Sequence, residues 1–528
     1  MGKTENLDLI LTAPQQDEGM DILLVTTTSQ DLEAFWQQRL EKTRGAISPQ
    51  HCRIYVVYED WPGGAGNGLG TLYALHKAER IARERDGISI LDMLDDGASV
   101  GLYHTAGKGT RLAPLPGSEN NNKPAVKLPG RIVSGDEHLL MTILEAVILQ
   151  TGVYAKSRKG RVSVFWGDQV FIPSAPVIYQ PTHHVDILAA LAQMPSAEEW
   201  KARGLEKYGL IAVAANGDAA QVEKIDHATA CSLIEKKVIQ VDGGIGISLG
   251  SFSISSVITR LLLEEFAQEL EEKKIALDTD PHFWMPLTLD EQTYLEIMLR
   301  KGEREENVLQ HYRRMGRLKE TLCAKAPQMG VFGCVDIGDA AYWWDYGTIP
   351  GYIDNNRKLL GDDEEAQAMR RFFHIEPEDM QAPPGVEVEG RCIVLDSNIN
   401  RGKLKNAIVA GVVADEIFCE DALIINSAFT RLEGNEILLY NVVEPVAVQF
   451  KPGQVRADIF HPGQVHWKML TTMNRDGKKD WDVCLPGNPM SYAELHRTNQ
   501  NISLKESLSE AQRAFQGLAE QIRKGNTK

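Results

Sequence analysis

Basic charge is short in this 528-residue chain: 56 Lys and Arg stand against 73 Asp and Glu, a formal net charge of −17. That balance excludes a chain that wraps nucleic acid or lies on an anionic membrane through bulk charge. Any polyanion must be met by a local cluster of cations. Long hydrophobic runs are missing too. No apolar stretch reaches the roughly 18 residues that a membrane-spanning helix needs. The opening residues, MGKTENLDLILTAPQQDEGMD, lack the basic region and apolar core of a secretory leader. Gly2 is present, but Asn6 stands where an acylation signal wants Ser or Thr. Of the seven cysteines, no two have CxxC spacing. This argues against a disulfide framework or a zinc site and predicts reduced thiols in a cytoplasmic protein. With 43% hydrophobic and 24% charged residues, the composition is that of a folded soluble chain. The length fits roughly three to four domains, or two large ones.

Four short apolar, β-branched runs open the chain: Ile22 to Thr27, Ile54 to Tyr58, Val100 to His104 and Val162 to Trp166. Ser29-Gln30-Asp31 supplies cap residues for a helix carrying Leu32, Phe35 and Leu40, and a second helix is predicted from Thr71 to Arg85. Alternating strands and helices predict an α/β domain with a Rossmann-like, mixed but mostly parallel sheet. In such sheets ligands collect at the carboxyl ends of the strands. After about Leu360 the composition changes. Residues 361–384 are charged and end in a proline pair, a linker or boundary helix. Beyond them, β-rich segments at 392–399, 406–414, 422–429 and 437–443 mostly carry an Asn or Ser near a turn. This pattern predicts a β-solenoid (β-helix-like) domain, with a β-sandwich as the alternative. Leu504 to Arg523 reads as an amphipathic helix for packing or oligomerisation. The expected division is 1–360, a linker at 361–390, a solenoid-like domain at 391–503 and a C-terminal helix at 504–528.

The chemistry concentrates in HTAGKGTRLAPLPGSENNNKPAVKLPG, residues 104–130. Its small-residue loop follows a strand, and glycines there let backbone N–H groups approach a phosphate chain. Arg111 adds a forked cation, and Lys123 or Lys127 a point charge. The segment is neither a Walker A loop nor a good G-x-G-x-x-G. Upstream, five glycines fall within residues 63–70 ahead of Thr71. A nucleotide base or phosphate edge lying on this backbone, at Gly66 and Gly68, is one reading; a mobile surface turn is a second. A loop similar to that of the galactokinase-type kinases is a third, which Thr71-Leu72 in place of a Ser-Ser pair disfavours. Asp168 follows Gly167 at the end of an apolar strand and suits a metal ligand better than a helix cap. Asp345 precedes Gly347-Thr348, with Asp336 and Asp339 as rivals. His183-His184 lacks metal-ligand spacing.

Gly107, Gly109, Thr110, Arg111, Leu112, Pro114, Leu115, Lys123 and Pro124 together resemble the signature of the sugar-1-phosphate nucleotidyltransferases. Further segments resemble that family in order: Gly167-Asp168, Tyr208-Gly209, Glu223-Lys224 and Trp343 to Thr348. Two features depart from the pattern. Ile225 replaces a proline expected after Glu223-Lys224, and about 100 residues precede the signature. That N-terminal layout is similar to the fucose-1-phosphate guanylyltransferase branch, whereas Pro114 and Lys123-Pro124-Ala125-Val126 look more like the uridylyl and adenylyl branches.

The resemblance implies transfer of a nucleotidyl group from an NTP, UTP or GTP favoured, to a sugar 1-phosphate, releasing pyrophosphate. It implies Mg²⁺ on Asp168 and Asp345, with Arg111, Lys123 and Asp168 as the catalytic set. Gly66, Gly68, Gly107, Gly109, Thr110 and Lys127 would meet the nucleotide. Gly209, Glu223 and Lys224 would meet the sugar phosphate, with Lys236 a rival to Lys224. The expected partners are the NTP and the sugar 1-phosphate, with no nucleic acid, no membrane, and homo-oligomers through the C-terminal region. A non-catalytic nucleotide-sugar sensor and a sugar kinase are the competing functions.

Overall fold

The computed structural model describes residues 2–105, 107–223, 225–463 and 466–525, with Glu223 described through its backbone only. Thirteen strands build the first region. They are β1 (Ile22–Thr27), β2 (Arg53–Tyr58), β3 (Ser99–His104), β4 (Lys127–Ser134), β5 (Glu137–Thr142), β6 (Arg161–Trp166), β7 (Gln169–Ile172), β8 (His183–Ala192), β9 (Gly209–Val213), β10 (Ala219–Glu223), β11 (Gly244–Ser255), β12 (Gly330–Asp336) and β13 (Tyr342–Asp345). The main sheet runs β2-β1-β3-β6-β11. There β8 and β9 both pair with β11, β12 pairs with β8, and β10 pairs with β9. The pairings among β2, β1, β3 and β6 are parallel, and β11 is antiparallel. The sheet is thus mixed in an α/β setting. All six residues of β1 are buried, as expected of a central strand covered on both faces.

Helices α1 (Lys3–Thr12), α2 (Gln30–Thr43) and α3 (Gly66–Asp86) lie at the N-terminal side of this region. The Ser29 hydroxyl accepts from the Leu32 N–H at 3.2 Å, the cap its position predicts. After β1 the chain moves outward to β2, then crosses back to β3 on the other flank of β1. The strand order therefore reverses between β1 and β3, which opens a crevice at their carboxyl ends.

The later strands are parallel, in two sheets whose register advances by fifteen residues. Ile393, Ile408, Leu423 and Leu438 align in one sheet, and Asn398, Val413, Ala428 and Val443 in the other. Left-handed backbone recurs with the same step, at Asp396, Gly411, Asn426 and Asn441 on one corner and Asn406, Asp421 and Glu436 on another. Asn, Asp and Gly enter this conformation at least cost, which is why small polar residues punctuate these segments. An antiparallel pairing between Gln454–Ile459 and Trp467–Thr472 ends the stack.

Residues 364–372 form a helix, and Phe372 and Phe373 pack on Trp344 in the core of the first region. The last helix spans Leu504–Arg523, as the sequence pattern predicts, and buries Leu518, Ala519 and Ile522 on Val413, Ala428 and Val443 of the same chain. Among the described residues, no helix is long and apolar enough to cross a membrane.

Candidate functional site

The site begins where β6 ends. Gly167 and Asp168 turn the chain into β7, which pairs antiparallel with β13 so that Gln169 faces Asp345. The Tyr346 N–H donates to the Asp168 carbonyl at 3.1 Å, which fixes the two turns against each other. The pairing brings residues 177 positions apart in sequence to one point, marked by Gly347. A Cβ on Gly347 would lie 2.9 Å from Asp345 Oδ1, 3.2 Å from Asp168 Oδ2 and 3.5 Å from Arg111 Nη2. The Gly347 N–H donates to Asp345 Oδ1 at 2.7 Å. Lys123 Nζ lies 2.5 Å from Asp168 Oδ2, with both side chains about one-fifth exposed. Two carboxylates and two cations therefore converge there.

Burial pushes the Asp345 carboxyl above its ordinary value. The Gly347 amide opposes that shift, the neighbouring Asp168 charge adds to it, and Arg111 and Lys123 counter it. A half-buried carboxylate beside another gains most from an additional cation.

The glycine loop after β3 supplies the adjacent surface. Gly107 and Lys108 are exposed, whereas Gly109 has φ +62° and turns the chain into a short helical turn at Thr110–Leu112. A Cβ on Gly109 would crowd Pro116 and Lys123, at 3.0 and 3.2 Å. The Ala113–Pro114 bond that follows is cis. Beneath the loop, His104 stacks on Trp166 with ring centroids 5.4 Å apart, and its Nε2 lies 2.8 Å from Thr71 Oγ1. Burial holds this imidazole down at about 4. Sequence reasoning missed this stack; its signal was an aromatic or histidine at the last position of two adjacent parallel strands.

On the other flank of the loop, at the reversal between β1 and β3, lies a cleft of about 860 Å³. Its inner wall includes Thr28 and Ser29 after β1, Tyr58 at the end of β2, and Gly107 with Lys108.

Other residues singled out from the sequence lie elsewhere. Gly66 and Gly68 begin α3, but the Gly68 and Leu69 N–H groups donate to the Leu277 carbonyl at 2.8 and 3.1 Å. The Asn67 N–H donates to Asp278 Oδ1. This helix start is occupied by the chain itself, so the close approach that requires glycine is made by residues 277–278. Lys127 turns to the buried Glu119, and its backbone N–H donates to Tyr440 Oη at 2.8 Å. Asp336 accepts from the backbone N–H groups of Leu191 and Gly338 and is thereby committed. Gly209 faces Glu223 across the β9–β10 pairing. It packs beside Ser248, two residues from Gly250, where any Cβ would strike Trp166. Lys224 lies outside the described residues. His183 meets Asp218 Oδ1 at 3.1 Å and His184 meets Ser255 Oγ at 2.7 Å. Among the described residues, no three His, Cys, Asp or Glu side chains group to hold a metal.

No protein-family model matches this chain, and a search of curated proteins finds none similar to it.

Proposed function

We propose that the protein transfers a nucleotidyl group from an NTP, with UTP or GTP favoured, to a sugar 1-phosphate, yielding an NDP-sugar and pyrophosphate. The observation that carries this reading is the convergence of Asp168, Asp345, Arg111 and Lys123 on one point beside a glycine loop. The cleft at the strand-order reversal supports it by offering room for a nucleotide on the other side of the same loop.

A phosphate oxygen of the sugar 1-phosphate attacks the α-phosphorus. The bond to the bridging oxygen breaks, and its electron pair leaves with pyrophosphate. The nucleophile is already an anion, so no general base is needed; the work is to position two polyanions and balance their charge. Arg111, an exposed residue of the loop whose Nη2 reaches Gly347, suits the β- and γ-phosphates. Lys123 reaches both the loop and Asp168. It pairs with the carboxylate when phosphate is absent and is free to turn to phosphate when a cation takes its place.

The donor set fits Mg²⁺: two hard carboxylates on one side of an open site, the rest of the shell left to phosphate oxygens and water. Asp168 and Asp345 would hold the ion, which supplies charge neutralisation to the phosphates when bound. Gly107, Gly109 and Thr110 border the phosphates, and Gly209 with Glu223 belongs to the sugar side.

We further infer that the fifteen-residue register with its recurring left-handed corners is a β-solenoid over 391–503, following a catalytic domain at 1–360 and a boundary segment at 361–390. Seven unpaired thiols support a cytoplasmic location.

The test is pyrophosphate release from each of four NTPs with a panel of sugar 1-phosphates in Mg²⁺. One pairing is expected to turn over, with Asp168→Asn and Asp345→Asn each losing several orders of magnitude while melting normally. Gly347→Ala, which displaces the Asp345 carboxylate, is expected to lose at least tenfold. Near-normal turnover by either folded aspartate variant would remove that residue from the site, and no turnover by wild-type protein with any pairing would overturn the function.

A further inference from the structure

The outer wall of the 860 Å³ cleft comes from the far end of the chain. His496 and Asn499 of the penultimate helix (Tyr492–Asn499), the link 500–503 and Leu504 of the last helix line the space together with Thr28 and Tyr58. Side chains near the signature loop fix this wall. The Asn120 and Asn121 amides donate to the carbonyls of Ile502 and His496, at 3.2 and 2.8 Å. Asn499 donates to the Gly117 carbonyl at 2.9 Å, and the Leu504 N–H donates to Asp31 Oδ2 at 3.1 Å. The backbone of this wall is thus held before any ligand arrives, which lowers the ordering cost of binding.

The cleft lining combines a loop cation with a run of neutral polar groups. Lys108, with no carboxylate partner among the described residues, stands at the end shared with the glycine loop. The Asp31 carboxylate is engaged by Leu504. Along the outer wall stand the amides of Gln500 and Asn501, the Ser503 hydroxyl, the apolar side chain of Ile502, and His496. The Asn501 amide donates to the Arg497 carbonyl at 2.9 Å, and burial and the Lys108 charge push His496 toward its neutral form. Among the described residues the exposed Gln500 side chain has no polar partner. A side-chain amide both donates and accepts, so it can read the edge of a heteroaromatic ring. A ligand that carries an anionic group and a planar, neutral, hydrogen-bonding one matches this lining.

We propose that residues 499–503 are the nucleoside-reading wall of this cleft, with the Gln500 amide a specificity-determining group for the base. The assignment rests on the reading that NTP phosphates lie on the glycine loop. It places base selection almost 400 residues downstream of that loop.

Titration calorimetry on the full-length protein tests it with the four NTPs and with inorganic tripolyphosphate, which has no base or ribose. One lost amide hydrogen bond corresponds to roughly three- to tenfold in affinity. Gln500→Ala, and the double variant with Asn501→Ala, are expected to weaken the preferred NTP by about that factor. They should also narrow the spread among the four bases and leave tripolyphosphate binding unchanged, with melting temperature verifying the fold. Unaltered NTP affinity and base preference in the double variant would overturn the wall while leaving nucleotidyl transfer standing. Equal weakening of tripolyphosphate would also overturn it, because the effect would then not come from the nucleoside. If the base-dependent loss appears but no sugar 1-phosphate yields pyrophosphate, the wall stands and the transfer reading falls. Absence of NTP binding by wild-type protein would overturn both.

Discussion

His104 shows how one side chain can tie two strands and a helix together behind the glycine loop. It closes β3, stacks on Trp166 at the end of β6 and meets Thr71 in the second turn of α3. The Thr71 hydroxyl also donates to the Asn67 carbonyl at 2.7 Å. Its single proton is thereby used, and the arrangement that satisfies both contacts has Nε2–H donating to Oγ1. A neutral imidazole does this without bringing a charge into the contact. Because the folded value is about 4 against an ordinary 6.5, the folded state binds fewer protons than the unfolded state between those limits. Stability from this residue is therefore unaffected above 6.5, declines as pH falls toward about 4, and levels off below. Denaturant titrations at pH 7.5, 6 and 4.5 should show this decline, and His104→Gln should flatten it. His311, held at about 4 mainly by burial, keeps part of the slope in the variant. An identical slope in His104→Gln would refute the account.

At the scale of elements, the start of α3 separates two uses of glycine. A Cβ on Gly68 would lie 2.8 Å from the Leu277 carbonyl oxygen, a backbone atom that cannot swing away. Gly68→Ala should therefore cost about 1–3 kcal/mol through overpacking, read by thermal or chemical denaturation, and leave NTP affinity near wild type. A large loss of NTP affinity with normal stability would restore this segment to the proposed nucleotide site. The element boundaries were largely legible in the sequence. Ile22–Thr27 and Leu504–Arg523 match the predicted bounds, and β2, β3 and β6 each begin one residue earlier than the apolar run suggested. Local pattern sufficed there because burial of a central strand leaves an unbroken β-branched run. The glycine-rich segment was ambiguous for a physical reason: the same absence of a Cβ admits a phosphate or a neighbouring backbone. Which one approaches is decided by Leu277, some 210 residues away. The helix accordingly starts at Gly66, ahead of the Thr71 expected from the sequence.

Across the whole molecule, the two regions are joined by buried polar contacts around Glu119. This carboxylate, 3% exposed, accepts from Tyr440 Oη at 2.6 Å and Asn441 Nδ2 at 2.9 Å, and it also pairs with Lys127. Tyr352 Oη donates to the Lys127 carbonyl, which ties the helix after β13 into the same junction. Glu119→Ala would strand several buried donors. It is expected to destabilise the protein by roughly 1–3 kcal/mol, and Tyr440→Phe by less, because it removes one hydroxyl from a network that keeps its other members. Comparing denaturation midpoints of the two variants checks this order. The sequence suggested the carboxylate pair, since each aspartate carries local motif context. It gave no hint of the junction or of the outer cleft wall, where Glu119 meets Tyr440 and Asn120 meets Ile502 across 321 and 382 residues.

The bond between Leu504 and Asp31, 473 residues apart, has a consequence for biosynthesis. At ordinary elongation rates of about 5–20 residues per second, roughly 25–95 s pass between synthesis of the two partners. Throughout that interval the nascent chain carries α2 and the loop after β1 without their cover. The wall of the cleft is therefore completed only once residue 504 has been synthesised, long after the strands that form its opposite side.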